Sequence, residues 1–303
     1  MKLLITGANG LLGQKLVQLA LQHSHVEVIA TGRGESRLPE YTKGYTYHTM
    51  DIADATSVNS AVAKYQPDVL VNTAAMTNVD QCEQDHEGCW QANVESVKHL
   101  IAACEAHGVF LLHVSTDFIF DGSEGPLDEE AVPNPVNYYG ESKLEAERLV
   151  QQCNTNWAIA RTVLVYGIAH NMSRSNIILW VKDSLEKGKH IKVVNDQWRT
   201  PTLAEDLAQG CFLIGDQRAT GIFNISGKDF LTPYDMAVLT AEFFDLDQQY
   251  MEKTDSTIFK QPAKRPPKTG FVIDKAVNQL GYKPHSFKEG LKVLAGQIGY
   301  QLG

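Results

Sequence analysis

A short apolar run, Lys2 to Ile5, ends in Thr6-Gly7-Ala8-Asn9-Gly10-Leu11-Leu12-Gly13 and continues into Leu16, Leu19 and Ala20 at helical spacing. Three glycines between a strand and a helix restrict the chain severely. One permits the tight turn, one lets a ligand approach backbone, and one lets the helix pack closely on the strand. The helix N-terminus then presents unpaired N–H groups and a partial positive charge, a seat for a pyrophosphate. A turn of this kind predicts a strand–turn–helix unit that opens a nucleotide-binding sheet.

The rest of the chain follows the same alternation. Val26–Ala30, Asp68–Asn72, Val109–Val114, Trp157–Val165 and Gly221–Ile225 read as strands, with helical periodicity around Val58–Ala63, Asn93–His107 and from Tyr139 to about Cys153. Apolar strands separated by helices predict a doubly wound parallel sheet covered on both faces, an α/β fold of the Rossmann type. Beyond Gly167 the alternation loosens. Asn176–Lys187 and Leu203–Phe212 read as helices and Ile191–Val194 as a short strand. Gln261-Pro262 and Arg265-Pro266-Pro267 break helices and predict extended segments. The division expected is a dinucleotide-binding domain of residues 1–167 and 191–226, and a smaller C-terminal substrate-binding lobe of 168–190 and 227–303.

A net charge of −9 argues against nucleic acid as partner. The segment from Tyr250 onward is nevertheless basic, with nine Lys and Arg against four Asp and Glu. That segment is either solvated surface or the face of an anionic substrate. Five scattered cysteines without a CxxC predict reduced thiols. No apolar run approaches the ~18 residues that span a bilayer, so no membrane is expected and the location expected is cytoplasmic.

The spacing of the turn is GxxGxxG, which resembles the short-chain dehydrogenase/reductase superfamily. Gly7, Asn9, Gly10, Leu11, Leu12 and Gly13 are thus expected to hold the cofactor. At the end of the second strand an acidic residue would bind the ribose 2′-OH of NAD, but this chain has Gly32-Arg33, with Arg37 close behind. Arg33 favours a 2′-phosphate and hence NADP(H); the alternative is a solvent-facing Arg33 with NAD bound. Asp51 and Ile52 fall where the superfamily holds adenine. Thr73, Ala74 and Ala75 are small residues at a strand end, and Asn93 matches a bracing position.

Tyr139 and Lys143 lie four residues apart, so on a helix they share a face. A free phenol, with pKa near ~10, is a poor acid at neutral pH, and a neighbouring ammonium stabilises the phenolate. Such a pair can deliver a proton to a carbonyl oxygen while a nicotinamide delivers hydride to its carbon. Thr116 follows a buried strand and supplies a hydroxyl to orient the carbonyl, with Ser115 as the second candidate. Strand-end capping is the alternative role for both hydroxyls.

Val114-Ser115-Thr116-Asp117-Phe118-Ile119-Phe120-Asp121-Gly122, Asn134 to Lys143 and Asp196-Gln197-Trp198-Arg199-Thr200-Pro201-Thr202 resemble the dTDP-4-dehydrorhamnose reductase family, of the extended branch of that superfamily. Arg161-Thr162, Asn176 and Arg265-Pro266 follow in matching order. The resemblance implies NADPH-dependent reduction of the 4-keto group of a nucleotide-linked 6-deoxy sugar, with Thr116, Tyr139 and Lys143 catalytic. It also implies that Thr77, Asp117, Phe118, Leu164, Asn176, Arg199 and Arg265 meet the substrate. Phe118 stands where the family usually has tyrosine and Leu164 where it has tryptophan, which leaves the sugar open. Lys15 stands where some members have a glutamate that ligates a dimer-bridging metal, so no metal is expected; a homodimer is left open. The alternatives within the superfamily are a sugar-nucleotide epimerase or dehydratase. Outside catalysis the alternative is a regulatory subunit like that of methionine adenosyltransferase.

Overall fold

The computed structural model describes residues 1–172 and 175–300. In chain order the first half contains β1 (Lys2–Thr6), α1 (Leu11–Ala20), β2 (Glu27–Gly32), β3 (Tyr45–Thr49), α2 (Ala55–Tyr65), β4 (Val69–Asn72), α3 (Val79–Gln84), α4 (His86–Trp90), α5 (Ser96–His107), β5 (Phe110–Thr116) and α6 (Tyr138–Gln151). The second half contains β6 (Trp157–Thr162), β7 (Val165–Tyr166), α7 (Ile177–Glu186), β8 (Ile191–Val194), β9 (Thr202–Leu203), α8 (Ala204–Gln217), β10 (Gly221–Asn224), α9 (Pro233–Phe243), β11 (Met251–Thr254), α10 (Asp274–Leu280) and α11 (Phe287–Gln297).

Seven strands form one sheet in the order β10-β6-β5-β4-β1-β2-β3, and every pairing is parallel. The chain reverses direction across the sheet between β1 and β4, and this switch point opens a crevice at the carboxyl ends of the strands. Leu3, Ile5, Val28, Val69 and Leu112 face α1 and α8; Leu4, Ile29, Leu70 and Leu111 face α2, α5 and α6. Both faces are buried, which is why β1, β4 and most of β5 carry continuous apolar runs.

β3 departs from the sequence expectation. Tyr-Thr-Tyr-His-Thr is an edge strand with no fully buried residue, so it lacks the apolar signal of its neighbours. Ile191–Val194, grouped above with the nucleotide-binding domain, pairs instead with β11 in a separate two-stranded sheet. β8 packs with α7 and α9 through Val181, Leu185, Ile191, Val193, Ala237 and Ala241. Its alternating burial follows from one covered face. β7 and β9 form another small parallel pair. Among the described residues no helix is long and apolar enough to cross a membrane.

Candidate active site at the sheet switch point

The glycine turn is shaped by contact. Gly7 has φ +63°, and a Cβ there would lie 2.9 Å from both Ala74 N and Thr73 Oγ1. A Cβ on Gly13 would lie 2.3 Å from Gly7 O, so α1 sits on the turn only because residue 13 has no side chain. Gly10 caps α1 without a side-chain hydrogen bond, and the first turn carries no acidic residue. The first N–H groups therefore remain available to an anion. These features fit a dinucleotide pyrophosphate, and this crevice is where nicotinamide dinucleotides bind in the fold.

Asn9 spends its side chain on protein. Its Nδ2 donates to Glu35 O (3.0 Å) and Tyr47 Oη (3.0 Å), and its Oδ1 accepts from Arg37 N (2.8 Å). It thereby hangs the 33–37 loop, with exposed Arg33 and Arg37, beside the turn. Asp51 holds its own turn by accepting from Ala53 N (3.0 Å), and Ile52 O is bound by the His99 ring at 3.1 Å. Thr73 Oγ1 donates to Thr6 O at 2.6 Å, while Ala74 and Ala75 continue along the crevice. Leu11 and Leu12 open α1.

α6 brings the expected catalytic residues to this crevice. Asn137 caps it, accepting from Gly140 N at 2.8 Å. Gly140 permits the approach, since a Cβ there would lie 2.1 Å from Phe118 O. Tyr139 is consequently packed edge-on to Phe118, ring centres 5.9 Å apart, with the Thr116 hydroxyl nearby donating to Asp117 Oδ1 at 3.2 Å. Burial pushes the phenol above its ordinary value, and the neighbouring Thr116 hydroxyl works against that rise. Thr116 also fulfils the capping role, accepting from Phe118 N at 3.2 Å. Ser115 is buried at 3% exposure, and its Oγ has no partner among the described residues.

Lys143 is 2% exposed and held by Val114 O (2.8 Å) and His113 Nε2 (2.9 Å). Desolvation lowers it from its ordinary value to about 8, while Glu147 and Cys89 work in the other direction. Asn93 lies in a π-turn, Gln91–Glu95, that interrupts the expected helix and turns the side chain inward. Its Oδ1 accepts from Met76 N (2.8 Å) and its Nδ2 donates to Ser142 Oγ (3.0 Å), tying α6 to the crevice wall.

The expected substrate residues divide by their present partners. Asp117 is 2% exposed, accepts from Thr269 Oγ1 at 2.5 Å, and lies 3.6 Å from Arg199 Nε. Burial raises its pKa and Arg199 opposes the rise. Arg199 is itself 4% exposed, donates to Pro266 O (2.7 Å) and Trp198 O (2.7 Å), and lies over the Phe118 ring. Arg265 forms a two-point pair with Asp80, NH1 at 2.6 Å and NH2 at 2.7 Å. Asp80 also accepts from Ala263 N, and Asn137 Nδ2 donates to Lys264 O. The extended 263–270 segment is thus strapped across the site. Asn176 uses its amide to cap α7 and to bind Gly167 O. Leu164 is 43% exposed with φ +34°, and Thr77 is exposed at the crevice mouth.

The sequence singled out neither His113 nor Asp80 nor Thr269. His113 was legible as the one polar residue in a strand read as apolar. Asp80 and Thr269 carry no such local signal, because their partners lie 185 and 152 residues away. Lys15 pairs with Glu205 at 2.8 Å. Among the described residues no group of three or more His, Cys, Asp and Glu is arranged to hold a metal.

With this geometry in place, the chain was compared with known proteins. A probable low-salt glycan biosynthesis reductase of Haloferax volcanii is 30% identical over 292 residues, 96% of each chain. The beta subunit of methionine adenosyltransferase 2 of Bos taurus is 31% identical over 263 residues, 85% of this chain and 76% of that one. The crystal structure of a dTDP-4-dehydrorhamnose reductase of Clostridium acetobutylicum superimposes with a TM-score of 0.87 at 31% identity, covering 99% of this chain and 100% of that one. The RmlD substrate binding domain family matches residues 1–298, and the chain belongs to it.

Proposed function

We propose that the chain is an NADPH-dependent reductase of the 4-keto group of a nucleotide-linked 6-deoxy sugar. The observation that carries this reading is the approach of Thr116, at the end of β5, to Tyr139 and Lys143, both on α6, beside the glycine turn, an approach that Gly13 and Gly140 allow. Bound NADPH would supply hydride. Thr116 orients the carbonyl oxygen, Tyr139 donates the proton to it, and Lys143 supplies nearby positive charge. Arg33 and Arg37 are the proposed readers of the 2′-phosphate. Family membership supports oxidoreductase chemistry, and the Clostridium reductase supports the sugar class.

The structure alters one part of the expectation. Burial raises the Tyr139 phenol, so it rests protonated with a proton to donate, and bringing it back towards the working pH is the part proposed for the Lys143 charge and the Thr116 hydroxyl. Arg199 and Arg265 are engaged by Asp117 and Asp80, so their proposed part is to shape the sugar pocket and hold the strap over it. The two-part division, nucleotide-binding sheet and substrate lobe, is proposed with β8 on the lobe side, and a cytoplasmic location is proposed with it.

The test is NADPH oxidation against a panel of dTDP- and UDP-linked 4-keto sugars. Tyr139→Phe is expected to bind NADPH normally and to lose at least 10²-fold in turnover, the usual scale of general acid catalysis. Unchanged turnover in Tyr139→Phe would remove the catalytic assignment. The likeness to the methionine adenosyltransferase beta subunit favours a second reading, a non-catalytic NADP-binding subunit. NADPH binding without oxidation by any sugar in the panel would select it.

A further inference from the structure

His113 lies in β5 between Leu112 and Val114 at 1% exposure. Its Nε2 is 2.9 Å from Lys143 Nζ, and its Nδ1 is 3.1 Å from Asn72 Nδ2. The far end of the Asn72 amide is already claimed. Oδ1 accepts from Thr6 Oγ1 at 2.6 Å and from Ala74 N at 3.3 Å.

These contacts determine where the imidazole proton sits. With two donors on Oδ1, the Asn72 amide turns its Nδ2 towards His113. Nδ1 must then accept, so the proton of the neutral ring is on Nε2 and points at Lys143. Burial and the neighbouring Lys143 both disfavour a charged His113, so the ring does not escape by taking a second proton. An amine accepts the Nε2–H bond, whereas an ammonium has no lone pair to do so. An ammonium at Lys143 needs the other tautomer, and that tautomer needs Asn72 to turn over and abandon Ala74 N.

We infer that His113 is a positioning residue of this site: biased by Asn72 towards the Nε2–H tautomer, it donates a hydrogen bond to Lys143 in that form and favours the uncharged amine. The inference rests on the proposed pairing of Lys143 with Tyr139 for its functional meaning, though not for its test. The other groups that face Lys143 are Glu147, one turn along α6 and paired with Arg161, and Cys89 from α4; both favour the ammonium. Among the described residues His113 is the donor set against them, so it helps fix the pH above which the site loses its positive charge.

The experiment is an NMR titration of the full-length protein with ¹⁵N-labelled lysine, the Lys143 signal assigned by its loss in Lys143→Met. His113→Gln offers an amide oxygen in place of the N–H. The Lys143 midpoint, near 8 in the parent protein, is expected to rise by about one unit, a tenfold change in acidity. Asn72→Ser frees the tautomer and is expected to move the midpoint the same way, and it serves as the measurement if His113→Gln does not fold. A midpoint that stays put in the folded variant overturns the inference. The pH profile of NADPH oxidation separates the two claims: a moved midpoint with an unmoved profile counts against the catalytic role of Lys143, not against His113.

Discussion

Glu147→Gln is the most informative single substitution outside the catalytic set. Glu147 is fully buried and Arg161 is 3% exposed. The guanidinium reaches both carboxylate oxygens, with Nε at 3.1 and 3.3 Å and NH2 at 2.8 Å, and a further N–H goes to Glu129 O at 3.2 Å. Phe120 covers the guanidinium at 5.5 Å, so water does not replace a lost partner. Removing the carboxylate charge leaves an uncompensated buried cation, at a cost of about 3–5 kcal/mol. That is a large share of a typical total of roughly 5–15 kcal/mol. Thermal melts are expected to fall by roughly 6–10 °C, at about 2 °C per kcal/mol for a chain of this size. Urea denaturation followed by circular dichroism measures the same loss. Glu147→Leu combined with Arg161→Met is expected to recover most of it, because no charge is then stranded. The substitution also reaches the site. Glu147 holds Lys143 up, so its removal is expected to lower the lysine midpoint below about 8 and to move the alkaline fall in activity to lower pH. A loss under about 1 kcal/mol, or an unmoved Lys143 midpoint, would refute the reasoning.

Arg33→Asp combined with Arg37→Asp is expected to shift cofactor preference towards NAD by at least tenfold, read as the ratio of kcat/KM values; an unchanged ratio would show that neither arginine meets the 2′-phosphate. Gly13→Ala places a carbon 2.3 Å from Gly7 O and 2.6 Å from Ala8 Cα. It is expected to cost about 1–3 kcal/mol and to weaken NADPH binding measured by fluorescence titration, whereas wild-type affinity would mean the turn relaxes freely. Asp80→Asn loosens the strap at Arg265 without touching Thr116, Tyr139 or Lys143, so KM for the sugar substrate should rise several-fold with kcat nearly constant. A fall confined to kcat would move Asp80 into the chemistry.

The parallel sheet was legible because its strands are buried on both faces and punctuated by glycine, and the Tyr-Gly-Glu-Ser-Lys block because its spacing matches a helix. What escaped is equally physical. Tyr45–Thr49 lies at the sheet edge, where one polar face meets water, so it carries no apolar run to detect. Asn93 could be named as a brace, but the π-turn that aims it inward has no periodicity of its own. Arg199 and Arg265 read as substrate contacts because a sequence displays charge and not pairing; Asp117 and Asp80 pair with them. His113 shows the reverse error, since one polar residue in an apolar strand was averaged into its neighbours.

The loop from Arg33 to Arg37 has a consequence for how such a protein diversifies. It hangs from the Asn9 amide and from Tyr47 and Thr49, whose hydroxyls both donate to Gly34 O. None of those supports lies in the hydrophobic interior, and the two arginines point away from it. Substitutions at positions 33 and 37 therefore carry little folding cost, and under the proposed reading of the 2′-phosphate by these arginines, cofactor preference is a module separable from the sheet. A change of nicotinamide cofactor would then need only a few exposed substitutions, while Asn9 keeps the hook on which the loop is hung.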